Sequence, residues 1–409
     1  MNDQHFWIGR NKDDRVVEKS SSGGIMSAVA KWIFEHNGVV FGASYTEHCR
    51  KVKHIKVECY EELYKLRKSK YVWSDYVECF EDIKEHLYAG IPVLFIGTPC
   101  QCVAVKHRFE EFSNLYLLDF FCHGTLESQY YTSYIEGVQK KIKSVDFRGE
   151  ADSGEHNFMF TVFDENGVKI ISDTYDNNIL TNLFVSSAGI RKACFNCKIC
   201  CDKHISNVTM GDVEFENMAH RHGFDSKNHL SIISINDEVG SEIFDACCQN
   251  IKYSKLDERD AEEIAFYYRP HKNSGKPWEY NYSLRCWFED TVKRYGFMEA
   301  AYRCKYYKDI QQLEKYSSLY GNKNIYLYGC GKKGSIIKEL IQKYFSQLKI
   351  QGYIVTKKTV DEKNDLPVYE ISQLHIDIER DFIIVAVEIK KDIYDLLENI
   401  GLKEGINYI

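Results

Sequence analysis

The segment Cys194-Phe195-Asn196-Cys197-Lys198-Ile199-Cys200-Cys201 holds two overlapping Cys-x-x-Cys steps and one extra cysteine. That spacing lets one loop offer several thiolates to one centre, either a structural zinc or an iron–sulfur cluster. Both centres take four protein ligands, so distant loops are free to supply some of them. Lys192, Lys198 and Lys203 flank the segment and suit a site rich in negative sulfur. The bland alternative is a group of small buried hydrophobes. Cys100 follows Gly97-Thr98-Pro99, and Cys122 precedes His123-Gly124. Each comes just after an apolar run, Val93-Leu94-Phe95-Ile96 for the first and Leu115 to Phe121, broken only by Asp119, for the second. If those runs are parallel neighbouring strands, both thiols reach one sheet edge, where open α/β sheets gather ligands. His123 is then a candidate proton donor beside the redox centre. Cys102 starts a helix and is expected to be buried.

Other short patterns offer complementary chemistry. Ser20-Ser21-Ser22-Gly23-Gly24 precedes an amphipathic helix. Small residues there expose backbone N–H groups to a phosphate, such as that of a flavin or nucleotide, with an ordinary helix cap as the alternative. Ser69-Lys70-Tyr71 sets a cation and a phenol on a loop. Asp146-Phe147-Arg148 and Thr209-Met210-Gly211-Asp212 put Arg148 and Asp212 at strand ends.

The elements that must position these residues read as α/β. Helical patterns cover 24–35, 61–68 and 81–88, and strands are expected at 39–45, 54–59, 93–96 and 115–121. The middle is richer in strand: 144–148, then 157–163 and 167–172 around Asn166-Gly167, a hairpin signal, then 231–236. Residues 284–320 read as helical. A fresh strand–glycine turn–helix–strand unit starts at 325, with later strands at 350–355 and 382–387. The expected layout is a mixed α/β redox domain over 1–290, a helical connector over 291–320, and a small Rossmann-like three-layer domain over 321–409.

The chain has 409 residues, 53 basic and 60 acidic side chains, and a net charge of −7, which gives nucleic acid no electrostatic hold. No run approaches the about 18 apolar residues of a membrane span. The amino-terminal residues are polar, without the apolar core of a signal peptide. Fifteen cysteines is an odd number that cannot pair completely within the chain. A reducing cytoplasm is therefore the expected setting, with metal or redox chemistry for the clustered thiols.

Taken in order, Ser20 to Ile25, Ser69-Lys70-Tyr71, Gly97-Thr98-Pro99-Cys100-Gln101, Cys122-His123-Gly124, Phe147-Arg148, Cys194-x-x-Cys197 and Gly211-Asp212 resemble the beta-subunit family of coenzyme F420 hydrogenases and dehydrogenases. The resemblance covers about residues 6 to 290. It implies an iron–sulfur flavoprotein that passes electrons between a [4Fe–4S] cluster and a flavin, FAD or a relative. A deazaflavin (coenzyme F420), ferredoxin or organic substrate stands at the far end. It further implies Cys100, Cys122, Cys194 and Cys197 as cluster ligands, with Cys200 and Cys201 as alternatives to Cys197. Ser21, Ser22, Gly23, Gly24, Thr98 and Asp212 would lie against the flavin, and His123, Lys70 and Arg148 would act in catalysis. Relatives in bacteria are associated with surface polysaccharide synthesis, which implies a small-molecule substrate such as a sugar or nucleotide-sugar.

The chain departs from the family's pattern in three places. The repeated Cys-x-x-Cys segment with which many relatives begin is not seen before the serine turn, so an external donor such as ferredoxin or a reduced soluble cofactor is expected. Thr125-Leu126-Glu127-Ser128 stands where relatives carry proline and serine. Val213-Glu214 follows Gly211-Asp212 where an aromatic residue and a glycine are common. In the tail, Gly329-x-Gly331-x-x-Gly334 after a strand meets the context of a dinucleotide fingerprint. The acidic residue expected after the second strand is missing, since Val355-Thr356-Lys357-Lys358 ends it. The tail resembles the small Rossmann-like domain of bacterial sugar-modifying enzymes, which binds a nucleotide-sugar or serves assembly. Two other readings stand beside the redox one: a nonenzymatic zinc-loop module that binds nucleotide-sugar or a glycosyltransferase, and a deazaflavin-dependent subunit of a larger complex. The oligomeric state is open, a homo-oligomer included.

Overall fold

Val93, Leu94, Phe95 and Ile96 are all buried because both faces of their strand are covered. The computed structural model describes residues 5–149, 159–199, 204–227, 229–267, 278–320, 322–387 and 390–409. They fall into two compact units, Met1–Cys304 and Lys305–Ile409. The helices Trp278–Tyr295 and Phe297–Lys305 thus lie essentially in the first unit and Tyr307–Tyr320 in the second.

The first unit carries strands β1 (His5–Asn11), β2 (Val39–Thr46), β3 (Lys51–Val57), β4 (Val93–Ile96), β5 (Leu115–Phe120), β6 (Ile142–Gly149), β7 (Met159–Asp164), β8 (Lys169–Thr174), β9 (Val208–Asp212), β10 (Ser231–Ile235) and β11 (Ile251–Lys255). Eight of them form one sheet in the order β11-β1-β10-β9-β5-β4-β2-β3. Its centre, β2, β4, β5 and β9, is parallel, and antiparallel strands flank it on both sides. Alternate residues serve opposite layers. Val40, Leu94 and Leu118 pack with the helix Ile25–Glu35, whereas Phe41, Phe95 and Leu117 pack with Ile83 and Val105 from the helices Phe80–Tyr88 and Pro99–Arg108. The mixed α/β class expected from the sequence is the class observed.

A three-stranded antiparallel sheet, β6-β7-β8, stands apart from the large one. Its hairpin closes as Asn-Gly suggests. Asp164 Oδ1 accepts from the N–H groups of Asn166 and Val168, and Gly167 takes a φ of +78°. The expected start of β7 at 157–158 lies outside the described residues.

Some elements differ from expectation. Residues 61–68 make a 3-10 helix, Tyr60–Lys65, and then a loop in which Lys68 and Tyr71 both have positive φ. The polar-looking amino terminus carries an inner strand, β1, because Phe6 and Ile8 alternate into the core. Its neighbour β11 was not foreseen either.

The second unit adds β12 (Asn324–Tyr328), β13 (Lys349–Val355), β14 (Glu362–Lys363), β15 (Leu366–Glu370) and β16 (Asp381–Val385) in the order β14-β15-β13-β12-β16. Four strands, β15-β13-β12-β16, run parallel with the first strand of the unit inside, as in one half of a doubly wound sheet. A Cβ on Gly334 would lie 2.0 Å from Gly329 O, so this glycine lets the helix Lys332–Tyr344 close onto β12.

Candidate functional site

β4 and β5 are parallel neighbours, paired from Val93↔Leu115 to Ile96↔Leu118. Their carboxyl ends therefore deliver Cys100 and Cys122 to the same edge. Cys100 lies in the first turn of the helix Pro99–Arg108. Thr98 Oγ1 lies 3.2 Å from Cys100 Sγ and 3.0 Å from Gln101 Oε1. Gln101 in turn donates to Ser74 O and Ser74 Oγ at 3.0 Å, which fixes the turn. After Cys122 the chain reverses at Gly124, whose φ of +108° suits only glycine. The Gly124 N–H then donates to Cys122 Sγ at 3.4 Å.

The third loop arrives by backbone pairing. Leu126 bridges both Val72 and Ile190, and Thr125 O accepts from Arg191 N–H at 3.0 Å. This brings Cys194, on the short helix Lys192–Phe195, beside the Cys122 turn, where a Cβ on Gly124 would lie 3.5 Å from Cys194 Cβ. Cys197 follows, its N–H donating to Cys194 O at 3.3 Å. Helix Trp278–Tyr295 clamps the arrangement. Arg285, 2% exposed, donates to Ile190 O at 2.7 Å, and Lys192 pairs with Glu289 at 2.7 Å.

Cys122 and Cys194 both respond to their burial. Burial pushes the Cys122 thiol up, its Gly124 N–H opposes this, and charge on Cys194, Cys100 or Cys197 would raise it further. Burial also raises Cys194, against the Thr125 N–H and the Arg191 cation. The Arg191 guanidinium sits 3.6 Å from the centre of the Trp73 ring. Among the described residues, no three His, Cys, Asp or Glu side chains are arranged to hold a metal ion. The thiols share an edge without closing on a common point. Cys200, Cys201 and Lys203 lie outside the described residues. The donor set, four thiols from three loops with N–H donors to sulfur and a cation nearby, fits a four-thiolate cluster.

Beside the thiols, Arg148 joins four of the motifs. Its guanidinium pairs with Asp212 and donates to Ser21 O at 2.7 Å. Ser21 Oγ accepts from the N–H and hydroxyl of Ser69, at 2.7 and 3.0 Å. Tyr71 lies under the same guanidinium, 6.0 Å from ring centre to Cζ. Burial works against the Arg148 charge, but Tyr71 and Asp212 hold it above its usual value. Burial lowers the His123 pKa, and Asp212 opposes that. Lys68 pairs with Asp146, two residues from Arg148 on the same strand face.

The serine turn is committed largely to its own packing. Ser22 Oγ lies 2.9 Å from Ser231 Oγ on β10, and Gly23 N–H donates to the same hydroxyl. A Cβ on Gly23 would lie 2.5 Å from Gly9 O, so the protein's own backbone fills that space. Gly24, at φ +72°, begins the helix Ile25–Glu35, which has no side-chain cap. The uncapped N–H groups of that helix are what the turn offers an anion, and they fit a flavin phosphate. Lys70 is buried, and its ammonium donates to the carbonyls of Leu66, Arg67 and Lys68 at 2.7 to 3.0 Å. All three of its protons are used within its own loop.

Residues 92–260 match the family model for the C terminus of the coenzyme F420 hydrogenase/dehydrogenase beta subunit. Over that stretch the chain is similar to this family. A solved structure of the xenon-derivatised F420-reducing [NiFe] hydrogenase complex from Methanosarcina barkeri aligns at 15% identity and a TM-score of 0.43, covering 71% of this chain and 91% of that one. No curated protein matches. The family stretch includes Cys100, Cys122, His123, Arg148, Cys194, Cys197 and Asp212. Ser21 to Gly24, Lys70 and the whole second unit lie outside it.

A groove of about 820 Å³ opens beside the Arg148 network, lined by Arg10, Lys68, Asp146, Gly149, Thr161 and Lys169 among others. Gly329, Gly331 and Gly334 stand in the second unit, at the carboxyl end of β12 and the start of its helix. Sequence reasoning missed Arg191 over Trp73, Ser231 under the serine turn, and Tyr175, which shares a hydrogen bond with Tyr71. It also missed buried Asp119, which accepts from Thr209 Oγ1 at 2.5 Å and lies 3.0 Å from His204 Nδ1. The one available signal was Asp119 itself, a carboxylate inside an apolar strand.

Proposed function

We propose that the chain is an iron–sulfur flavoprotein oxidoreductase. In this reading Cys100, Cys122, Cys194 and Cys197 hold a [4Fe–4S] cluster, and the start of the helix Ile25–Glu35 holds the phosphate of FAD or a related flavin. The observation that carries it is the gathering of Cys100, Cys122 and the Cys194–Cys197 segment from three loops at one carboxyl edge. The family likeness over residues 92–260 supports it. Bound, the cofactors supply one-electron and two-electron chemistry. The chain's own groups have separate tasks. Gly124 and Thr125 N–H groups favour thiolate at Cys122 and Cys194. Arg148, fixed by Asp212 and Ser21, offers a permanent positive charge to an anionic ring or substrate. His123, next to Cys122, holds or passes a proton at its imidazole. Lys70 positions the loop that carries Tyr71.

The groove along Lys68, Asp146 and Thr161 is the proposed substrate side, and its mixed charges suit a small polar molecule such as a sugar or nucleotide-sugar. The second unit is then a Rossmann-like domain for a nucleotide-sugar or for assembly. Electrons come from ferredoxin or a reduced soluble cofactor. The family's name favours one further reading, a deazaflavin-dependent electron-transfer subunit of a larger complex.

Anaerobic purification tests the proposal. Iron and acid-labile sulfide near about four each per chain, with a flavin absorption band, are expected. Zinc without sulfide, in a colourless protein, would overturn it. Bleaching of the flavin by reduced coenzyme F420 would select the deazaflavin reading.

A further inference from the structure

Thr125 is 7% exposed, and its hydroxyl oxygen is sealed from solvent without a hydrogen-bond partner. Its other polar groups are both engaged at the thiol edge. The carbonyl accepts from Arg191 N–H at 3.0 Å, and the N–H lies toward the Cys194 thiol and favours its thiolate. The residue follows Gly124, whose N–H reaches Cys122 Sγ and on which a Cβ would lie 3.5 Å from Cys194 Cβ. Thr125 therefore stands between two of the four thiols. Its Oγ1 is carried on Cβ, next to the Cα that bears this N–H, so rotation about Cα–Cβ redirects the hydroxyl without moving the backbone. A buried hydroxyl ordinarily has a partner, and a missing one points to a group the protein itself does not supply.

We infer that the partner is a sulfur of the iron–sulfur centre: Thr125 Oγ1–H donates a hydrogen bond to the Cys194 thiolate or an adjacent sulfide, and so raises the reduction potential. This rests on the cluster reading above. Reduction adds negative charge to the sulfurs, so a donor stabilises the reduced form more than the oxidised one. Thr125 is a tuning residue and touches no substrate.

The test compares wild type, Thr125→Val and Thr125→Ser as anaerobically reconstituted full-length protein. Iron and sulfide are counted first, and then the cluster is titrated electrochemically with EPR detection. Thr125→Val keeps the shape of the side chain without the donor. It should retain iron but hold its electron about tenfold less tightly, a midpoint about 59 mV more negative. Thr125→Ser should restore the wild-type midpoint. A wild-type midpoint in iron-replete Thr125→Val would overturn the inference and leave the cluster reading intact. Absence of iron and sulfide from wild type would overturn the cluster reading, and this inference with it. If Thr125→Val took up less iron, Thr125→Ala makes the same comparison. Loss of iron from both, with retention in Thr125→Ser, would make the hydroxyl an assembly requirement and overturn the tuning role.

Discussion

Cys102 and Cys122 show why neighbouring cysteines divide between structure and chemistry. Cys102 is fully buried, with Gly97 O and Leu118 O within sulfur hydrogen-bond range, on the inner side of its helix. Cys122 is half-buried at the carboxyl edge that also receives Cys100 and the Cys194 loop. Cys122→Ala should therefore abolish cluster iron, whereas Cys102→Ala should lower stability by a few kcal/mol at most and leave iron per chain unchanged. Metal analysis of the two variants checks this. His54 makes a different prediction. Its Nε2–H donates to Ile96 O at 2.9 Å, and its ring stacks on Phe95 at 4.7 Å. Burial drags its pKa from 6.5 down to about 4. Between those values the unfolded chain takes up a proton that the folded one refuses. The contribution is thus whole above pH 6.5 and is lost as pH falls toward 4, by about 3 kcal/mol. Urea unfolding at stepped pH should show wild type losing more stability over that window than His54→Gln. Because Ile96 leads directly into the Cys100 turn, the loss should begin beside the site.

At the scale of elements, spacing in the sequence revealed the strands that are apolar throughout and the turns that need glycine. β4 and β5 were legible because both faces are buried, and with them the meeting of Cys100 and Cys122. β1 and β11 were not, since Gly9, Arg10 and Lys252 dilute their pattern and only pairing across the sheet completes it. The start of the loop Lys68–Tyr71 was read as helix because its positive φ values are held by tertiary contacts such as Lys68–Asp146. Glycines misled in a more instructive way. Gly23 suits a phosphate cradle by sequence, yet its missing Cβ makes room for Gly9 O. The tail's fingerprint splits likewise. Gly334 has Gly329 O at 2.0 Å from its Cβ position, whereas Gly331 has nothing within 4 Å. Gly334→Ala should cost the second unit about 1–3 kcal/mol, and Gly331→Ala should change stability by less than about 0.5 kcal/mol. Thermal unfolding of the two variants measures the difference. If a nucleotide binds at this turn, Gly331→Ala should weaken it without destabilising the fold.

At the scale of the molecule, the residues assigned to redox chemistry all fall before Cys304, and the glycine fingerprint falls after Lys305. Each unit has its own core. The large sheet is covered by the helices around Val29, Ile33 and Val105, while Tyr328, Ile354, Ile383 and Leu397 pack together in the second unit. The carboxyl-terminal residues complete that second core, as Val385 N–H donates to Ile409 O and Ile409 N–H to Ile383 O. Two cores with separate sheets should unfold as separate cooperative transitions. A protein ending at Cys304 should therefore fold, bind iron and sulfide at the full-length ratio, and keep its flavin band. A protein beginning at Lys305 should fold without colour. Calorimetry of the three proteins, with iron counted alongside, tests this directly. Loss of iron from the shorter protein, despite a native melting transition, would mean that the second unit contributes to the cluster site. That result would move the thiol edge from a property of one sheet to a property of the whole chain.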